Sequence, residues 1–303
     1  METRIVSSGV WHPAAATDTG LVRARNEDRY WADAERGVFL VVDGVGGQAA
    51  GEIAAETAVA AIRVAVFEEG AAEERVRRAI AHANNRIYSR SKSELALHGM
   101  ACVLTLALVE GDEITIGHVG DSRLYLIWNG SIRKLTSDHS PVGEDEEMGA
   151  LSEIEAMRHP RRNEIFRDVG SRPRTADDPG FVEIRRCRFR PEAAILLCSD
   201  GLTDHLTAGE VREIVEGYRG REGDAERIAA ELVAAANARG GADNITVLFV
   251  PGPKFRGSGG ATRPRLATTR SRRRVRRFTS RWAFLAYGLL IGMLVWIVLR
   301  SRG

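Results

Sequence analysis

The chain of 303 residues groups strand with strand and helix with helix. Short apolar runs of β character cover Val38–Val42, Cys102–Val109, Glu113–Val119, Arg123–Trp128, Phe181–Cys187, Ala194–Cys198 and Thr246–Val250. Helical spacing, with apolar residues three and four apart, covers Gly51–Glu68, Glu73–Ser91, Thr207–Glu216 and Asp224–Arg239. The strands come as a block after one helix pair, and a second pair lies near their end. This grouping is not the βαβ alternation of a parallel sheet. It predicts an α+β domain of antiparallel sheets covered by helix pairs. Gly111-Asp112, between two of the runs, reads as a hairpin turn.

Charge divides the chain into two unlike parts. Residues 251–303 carry thirteen Arg or Lys and no Asp or Glu, which leaves 30 basic against 41 acidic residues in residues 1–250. An acidic body is thus joined to a basic tail, and the net charge of +2 describes neither. Within the tail, Trp282–Leu299 is an uncharged apolar run of 18 residues between Arg281 and Arg300. As a helix it would extend ~27 Å, close to the thickness of a hydrocarbon core. Trp282 and Trp296 stand near its ends, where aromatic rings suit the interface.

Three segments are therefore expected: a catalytic domain over 1–250, a basic flexible linker over 251–281, and a single transmembrane helix over 282–300. The eleven basic residues from Lys254 to Arg281 favour a cytoplasmic domain and contact with anionic lipid headgroups rather than nucleic acid. Gly288 and Gly292 form a GxxxG pair that would suit a homodimer of spans. The N-terminus lacks a continuous apolar stretch, so no secretory signal is expected.

Chemistry concentrates in five acidic segments: RARNEDR (Arg23–Arg29), VVDGVGG (Val41–Gly47), GDSR (Gly120–Arg123), CSDGLTD (Cys198–Asp204) and GADNIT (Gly241–Thr246). Four of them set a carboxylate beside Gly or at the end of an apolar run, where a chain turns and side chains can converge. Carboxylates gathered at one point repel each other unless cations lie between them. Oxygen donors without His or Cys favour magnesium or manganese over zinc. The set reads as a two-metal hydrolytic centre. Arg23, five residues before Asp28, offers a planar fork for two phosphate oxygens.

RxxxEDR, VVDGVGG, VGDSRLYL, LTxDHS, SDGLTD and GADNITV, in this order from Thr17 to Val250, resemble the metal-dependent Ser/Thr protein phosphatases of the protein phosphatase 2C family, bacterial type. The resemblance implies an α-β-β-α sandwich and hydrolysis of phosphoserine and phosphothreonine by direct attack of water. It implies two or three Mg2+ or Mn2+ ions. Asp43 would bridge two of them, with Glu27 and the Gly44 carbonyl on one and Asp200 and Asp243 on the other. Asp121, with Asp200, would hold a third. Asp28 and Asn244 would stand behind these ligands, and Arg23 would bind the phosphate. Phosphorylated proteins, Ser/Thr kinases and their substrates, would be the partners. An inactive phosphoprotein-binding relative and a hydrolase of another phosphate ester are the alternatives.

The chain departs from the family pattern at three places. Val45 stands where many eukaryotic relatives have His, Met100-Ala101-Cys102-Val103 replaces Gly-Thr-Thr, and RDVG (Arg167–Gly170) replaces RALG. The stretch from Glu144 to Gly180, charged and poorly periodic, reads as a functional flap. Cys102, Cys187 and Cys198 show no metal spacing and read as small hydrophobes. The seven histidines share no spacing, and for His139 a fold-supporting hydrogen bond is expected.

Overall fold

The computed structural model describes residues 11–46 and 50–258. Ten strands form two five-stranded sheets. In spatial order the first contains β1 (Ala14–Asp18), β10 (Ile245–Pro251), β9 (Ala194–Cys198), β6 (Arg123–Trp128) and β7 (Ser131–Lys134). The second contains β2 (Arg29–Asp33), β3 (Val38–Val45), β4 (Ala101–Glu110), β5 (Glu113–Val119) and β8 (Glu183–Arg188). Every pairing is antiparallel. The helices are α1 (Ala50–Ala65), α2 (Ala72–Ser93), α3 (Pro141–Glu147), α4 (Glu153–Met157), α5 (Asp200–Thr203), α6 (Ala208–Val215) and α7 (Asp224–Asn237).

The period of two along each central strand builds four layers. Val38, Leu40 and Val42 of β3 face α1 and α2, where they meet Ala54, Ile62, Ile80 and Ile87. Phe39 and Val41, one residue out of phase, face the other sheet and pack with Leu124, Ile195, Leu197 and Leu248. Val247 and Phe249 of β10 face Leu232 of α7 and Val211 of α6. Both faces of the central strands are therefore buried, and these strands read as unbroken apolar runs although no pairing is parallel. The Ala-rich face of α1 lets it lie close on the sheet; Ala54, Ala55 and Ala58 are fully buried.

The expected helices and central strands form as read, with end shifts of a few residues. Strand β8 begins at Glu183, and Phe181 and Val182 are buried just before it. Strands β1, β2 and β7, absent from the sequence reading, are all sheet edges. Between Glu144 and Gly180 the chain forms the end of α3 and all of α4, then returns along α2. There Asn84 holds Gly170 N–H and Arg172 C=O, and Asn85 holds both backbone groups of Arg174, at 2.8–2.9 Å.

Packing continues beyond residue 250. Phe255 is buried against Tyr218 and Phe249, and the Gly257 N–H donates to the Tyr218 carbonyl. Among the described residues no helix is long and apolar enough to cross a membrane. The expected span 282–300, its Gly288/Gly292 pair and the linker from residue 259 onward lie outside the described residues.

Candidate active site

Strand ends and turns from both sheets meet at a cleft of about 180 Å³. Its lining includes Arg23, Glu27, Asp43, Gly44, Asp121, Asp200, Asp243 and Asn244. Asp43 lies near the end of β3, opposite Val103 of β4. Asp121 occupies the turn between β5 and β6, Asp200 opens α5 just after β9, and Asp243 directly precedes the approach to β10. Glu27 sits in the loop before β2. All the sequence candidates except Asp28 reach this cleft; Asp28 is buried behind it.

Two side chains join the separate segments. Asn244 Oδ1 accepts the Glu27 N–H at 2.8 Å, while its Nδ2 donates to the carbonyls of Thr19 and Arg25 at 2.9 and 2.8 Å. Its amide is thus spent on holding the Glu27 loop against Asp243. Ser199, at the N-terminal end of α5, donates to Asp28 Oδ2 at 2.7 Å and accepts the Thr246 N–H at 2.9 Å. It ties three of the acidic segments together. The sequence contained this serine in SDGLTD but gave no signal of its task, which depends on a partner 171 positions away.

The electrostatics are those of crowded carboxylates. Desolvation, then the charges of Asp28, Asp200, Asp121 and Asp243, push Asp43 well above the usual carboxylate range. Asp200 is raised well above it by desolvation and by Asp121, Asp204 and Asp243. Burial raises Asp28 to about 7, against the lowering hydrogen bonds of Ser199 and Thr246. Asp121 also reaches about 7, through burial and the neighbouring Asp138.

Buried Asp28 Oδ1 and Asp200 Oδ1 have no hydrogen-bond partner among the described residues. A β-carbon placed on Gly51 would collide with Glu27 Oε2 and lie 2.8 Å from the Gly44 carbonyl oxygen. Two oxygen acceptors thus converge on one point. Hard divalent cations fit this all-oxygen donor set, and they would reverse the mutual repulsion.

One cation is already present in the chain. Arg23 Nη2 donates to Asp243 Oδ2 at 2.6 Å. Deeper in the fold, Arg123 binds Asp138 through Nε and Nη2 at 2.6–3.1 Å, both residues being buried. Burial alone would raise Asp138, but Arg123 and Lys134 outweigh it and hold the carboxyl below its ordinary range. Breaking such a buried pair from one side costs about 3–5 kcal/mol.

The departures from the family pattern meet one another. Cys102 N–H donates to Val169 C=O at 2.9 Å, and Val169 N–H returns a bond to Cys102 C=O at 2.8 Å. The altered β4 start and the altered RDVG run therefore share one contact, directly behind the Gly44–Cys102 strand pair. Val45 stands at the cleft rim, 41% exposed, and carries no proton to donate. Asn163 and Ile165 bring the flap to the cleft wall. They were not legible in sequence, because nothing in an aperiodic stretch marks which residues face inward.

Comparison with known proteins agrees with this geometry. Residues 22–237 match the Protein phosphatase 2C family. The chain is 36% identical over 248 residues to the serine/threonine phosphatase stp of Listeria welshimeri, covering 79% of this chain and 95% of that one. It is 35% identical over 242 residues to protein phosphatase PhpP of Streptococcus pneumoniae, covering 77% and 94%.

Among solved structures, the Mycobacterium tuberculosis serine/threonine phosphatase PstP/Ppp superposes with a TM-score of 0.71 at 30% identity, covering 82% of this chain and 99% of that one. The catalytic domain of PstP in complex with 2 manganese ions superposes with a TM-score of 0.69 at 30% identity, covering 80% and 98%. The family match, the shared two-sheet fold and the oxygen-lined cleft lead to one conclusion: the chain belongs to the protein phosphatase 2C family, as a bacterial-type Ser/Thr protein phosphatase of a family in which Mg2+ or Mn2+ dependence is typical.

Proposed function

We propose that the cleft hydrolyses phosphoserine and phosphothreonine on folded protein partners, Ser/Thr kinases and their targets, by direct attack of water on phosphorus. The convergence of Asp43, Asp200, Asp243 and Glu27 from four distant segments on one cavity carries this reading. Asp43 would contact two divalent ions, with Glu27 and the Gly44 carbonyl on one and Asp200 and Asp243 on the other. Asp121, beside Asp200, would take a third. When bound, the ions supply an activated water and neutralise charge on the phosphoryl oxygens.

The chain supplies the rest. Arg23, with a half-exposed side chain at the cleft mouth, orients the phosphate through its fork. Asp28 holds a water from behind the ligands. Asn244 and Ser199 keep the Glu27 and Asp28 loop in register with Asp243. Since Val45 offers no proton, the leaving alkoxide takes one from solvent or from another group. No cysteine or serine nucleophile is required; the buried Cys102 and Cys198 thiols are both raised by burial and stay protonated.

We further read the catalytic region, expected to end at residue 250, as extending through the packed residues 251–258, the rest of the expected stretch to 281 as a basic linker and 282–300 as a membrane span, with catalysis at the cytoplasmic face. The apolar run after eleven basic residues supports this. A span pair joined through Gly288 and Gly292 would make a dimer. The chemistry is tested by turnover of p-nitrophenyl phosphate with Mn2+, its loss in EDTA, and a comparison of a phosphothreonine peptide with a phosphodiester. Turnover that survives EDTA, or a preference for the diester, would overturn the assignment.

A further inference from the structure

The turn that carries Asp121 is gripped by the run Thr136–His139, residue by residue. Thr136 Oγ1 accepts the Leu124 N–H at 3.1 Å. The Ser137 carbonyl lies 3.0 Å from His118 Nε2. Asp138 takes the Arg123 guanidinium. His139 Nδ1 accepts the Gly120 N–H at 3.0 Å, and the His139 backbone N–H donates to the Gly120 carbonyl at 2.7 Å. That same carbonyl lies 2.9 Å from His118 Nε2. Gly120 is thereby held at both ends of its residue by two imidazoles whose centroids are 4.8 Å apart. Its φ of +110° excludes other residues, and a β-carbon would collide with Val103.

The bonds fix both ring tautomers. His118 Nε2 faces two carbonyl oxygens, so it bears the proton, and Nδ1 lies 2.9 Å from Thr105 Oγ1, a hydroxyl it shares with the Ser122 carbonyl at 3.1 Å. His139 Nδ1 accepts an amide proton, so its own proton is on Nε2, which lies 3.5 Å from Glu183 Oε2 and 3.1 Å from Arg167 Nη1. His118, His139 and Glu183 have ligand atoms within 4.8 Å of one another and would suit a metal by composition. The ring nitrogens facing the turn are already spent on it, so the trio is a polar clamp.

We propose that His118 and His139 are positioning residues that fix the Gly120 peptide and so aim the Asp121 carboxylate into the cleft. This rests on reading Asp121 as a cation ligand. Groups behind a ligand typically govern metal affinity by about 10- to 100-fold when removed.

Side-chain amides test it through opposite requirements at the two positions. Asn places a polar atom where Nδ1 was, and Gln where Nε2 was. His139→Asn and His118→Gln therefore keep the bonds to Gly120, whereas His139→Gln and His118→Asn lose them. Mn2+ binding by calorimetry should show the weakest site nearly unchanged in the first pair and weakened about 10- to 100-fold in the second. A merely packed ring would make both positions respond alike to side-chain size, and that result would overturn the clamp.

Asp121→Ala, measured beside them, must lose the weakest site. If it does not, the reading of Asp121 as a ligand fails, and the proposal falls with it. If it does while all four His variants bind as wild type, the clamp alone is wrong. Should a variant fail to fold, 15N shifts of the wild-type imidazoles decide: both rings must be protonated on Nε2, and an Nδ1–H ring at either position overturns the proposal.

Discussion

Arg23 and Asp243 form a 2.6 Å ion pair between segments 220 residues apart, at the mouth of the cleft. Asp243 uses this oxygen on Arg23 and its other oxygen on the Asn244 N–H. Arg23 is thereby tethered beside the position where a phosphate would enter, with only one of its nitrogens engaged on Asp243. An arginine held this way is pre-oriented, so less freedom is lost when an oxyanion binds. Arg23→Ala should raise KM for a phosphothreonine peptide by about 10- to 100-fold, the loss of one charged hydrogen bond, with a smaller change in kcat. Arg23→Lys should recover only part of this, because the fork is lost. Unchanged KM in both variants would remove Arg23 from the site.

Asp43 stands where repulsion is strongest, facing Asp28, Asp200, Asp121 and Asp243. Asp43→Asn should abolish turnover. In EDTA it should unfold at the same or a higher temperature than wild type, because one member of a repelling cluster has been neutralised. A lower unfolding temperature would mean that the carboxylate supports the fold rather than the chemistry.

Gly51 lies in the first turn of α1, where Ala is favoured over Gly by up to about 1 kcal/mol. Yet a methyl there meets Glu27 Oε2 and the Gly44 carbonyl. Gly51→Ala should therefore weaken Mn2+ binding by about 10-fold or more and also lower the unfolding temperature, since the Glu27 side chain can yield but the Gly44 backbone carbonyl, 2.8 Å from the new methyl, must shift. Wild-type Mn2+ affinity in this variant would show that those two oxygens do not act as ligands.

The same carboxylates set a pH dependence for the metal-free protein. Asp28 and Asp121 have folded values of about 7, above their unfolded ones, so between pH 4 and 7 the folded state holds more protons. Stability then falls as pH rises through this window. His118, lowered to about 4 by burial and by His139, acts in the opposite sense between pH 4 and 6.5. It is one group against Asp28, Asp121, Asp43 and Asp200, so the fall prevails. Glu183, at about 2 despite its burial, has its transition below pH 4.5 and leaves the window untouched. Thermal unfolding in EDTA from pH 4.5 to 7.5 should show a declining midpoint, which Mn2+ reverses. A midpoint that rises with pH in EDTA would contradict the mutual repulsion of these groups.

What was legible in the sequence follows burial. Strands β3, β4, β5, β6, β9 and β10 have both neighbours and both faces covered, or nearly so, and their apolar runs announce them. Strands β1, β2 and β7 are edges with half-exposed residues such as Thr17, Tyr30 and Arg133, and AAATD, RYWAD and SIRK carry no such run. The site was legible where chemistry repeats one residue type, in the carboxylates beside glycine. Its supports were not. The histidines that hold Gly120 have no common spacing, because the turn between β5 and β6 and the chain after β7 meet only once the sheets have formed.

The tail supplies the last test. The apolar run Trp282–Leu299 and the eleven basic residues before it would make distinct attachments to a bilayer: the first would be insensitive to salt, the second screened within ~3 Å at 1 M. The 303-residue chain should stay with membranes through a 1 M salt wash and leave only in detergent. A chain lacking residues 281–303 keeps ten of the basic residues, so it should bind anionic vesicles weakly and be released by salt. Its turnover of p-nitrophenyl phosphate should match that of the full chain, because the cleft is built entirely from residues before 245. Release of the 303-residue chain by salt alone would assign its attachment to the basic residues and end the case for a span.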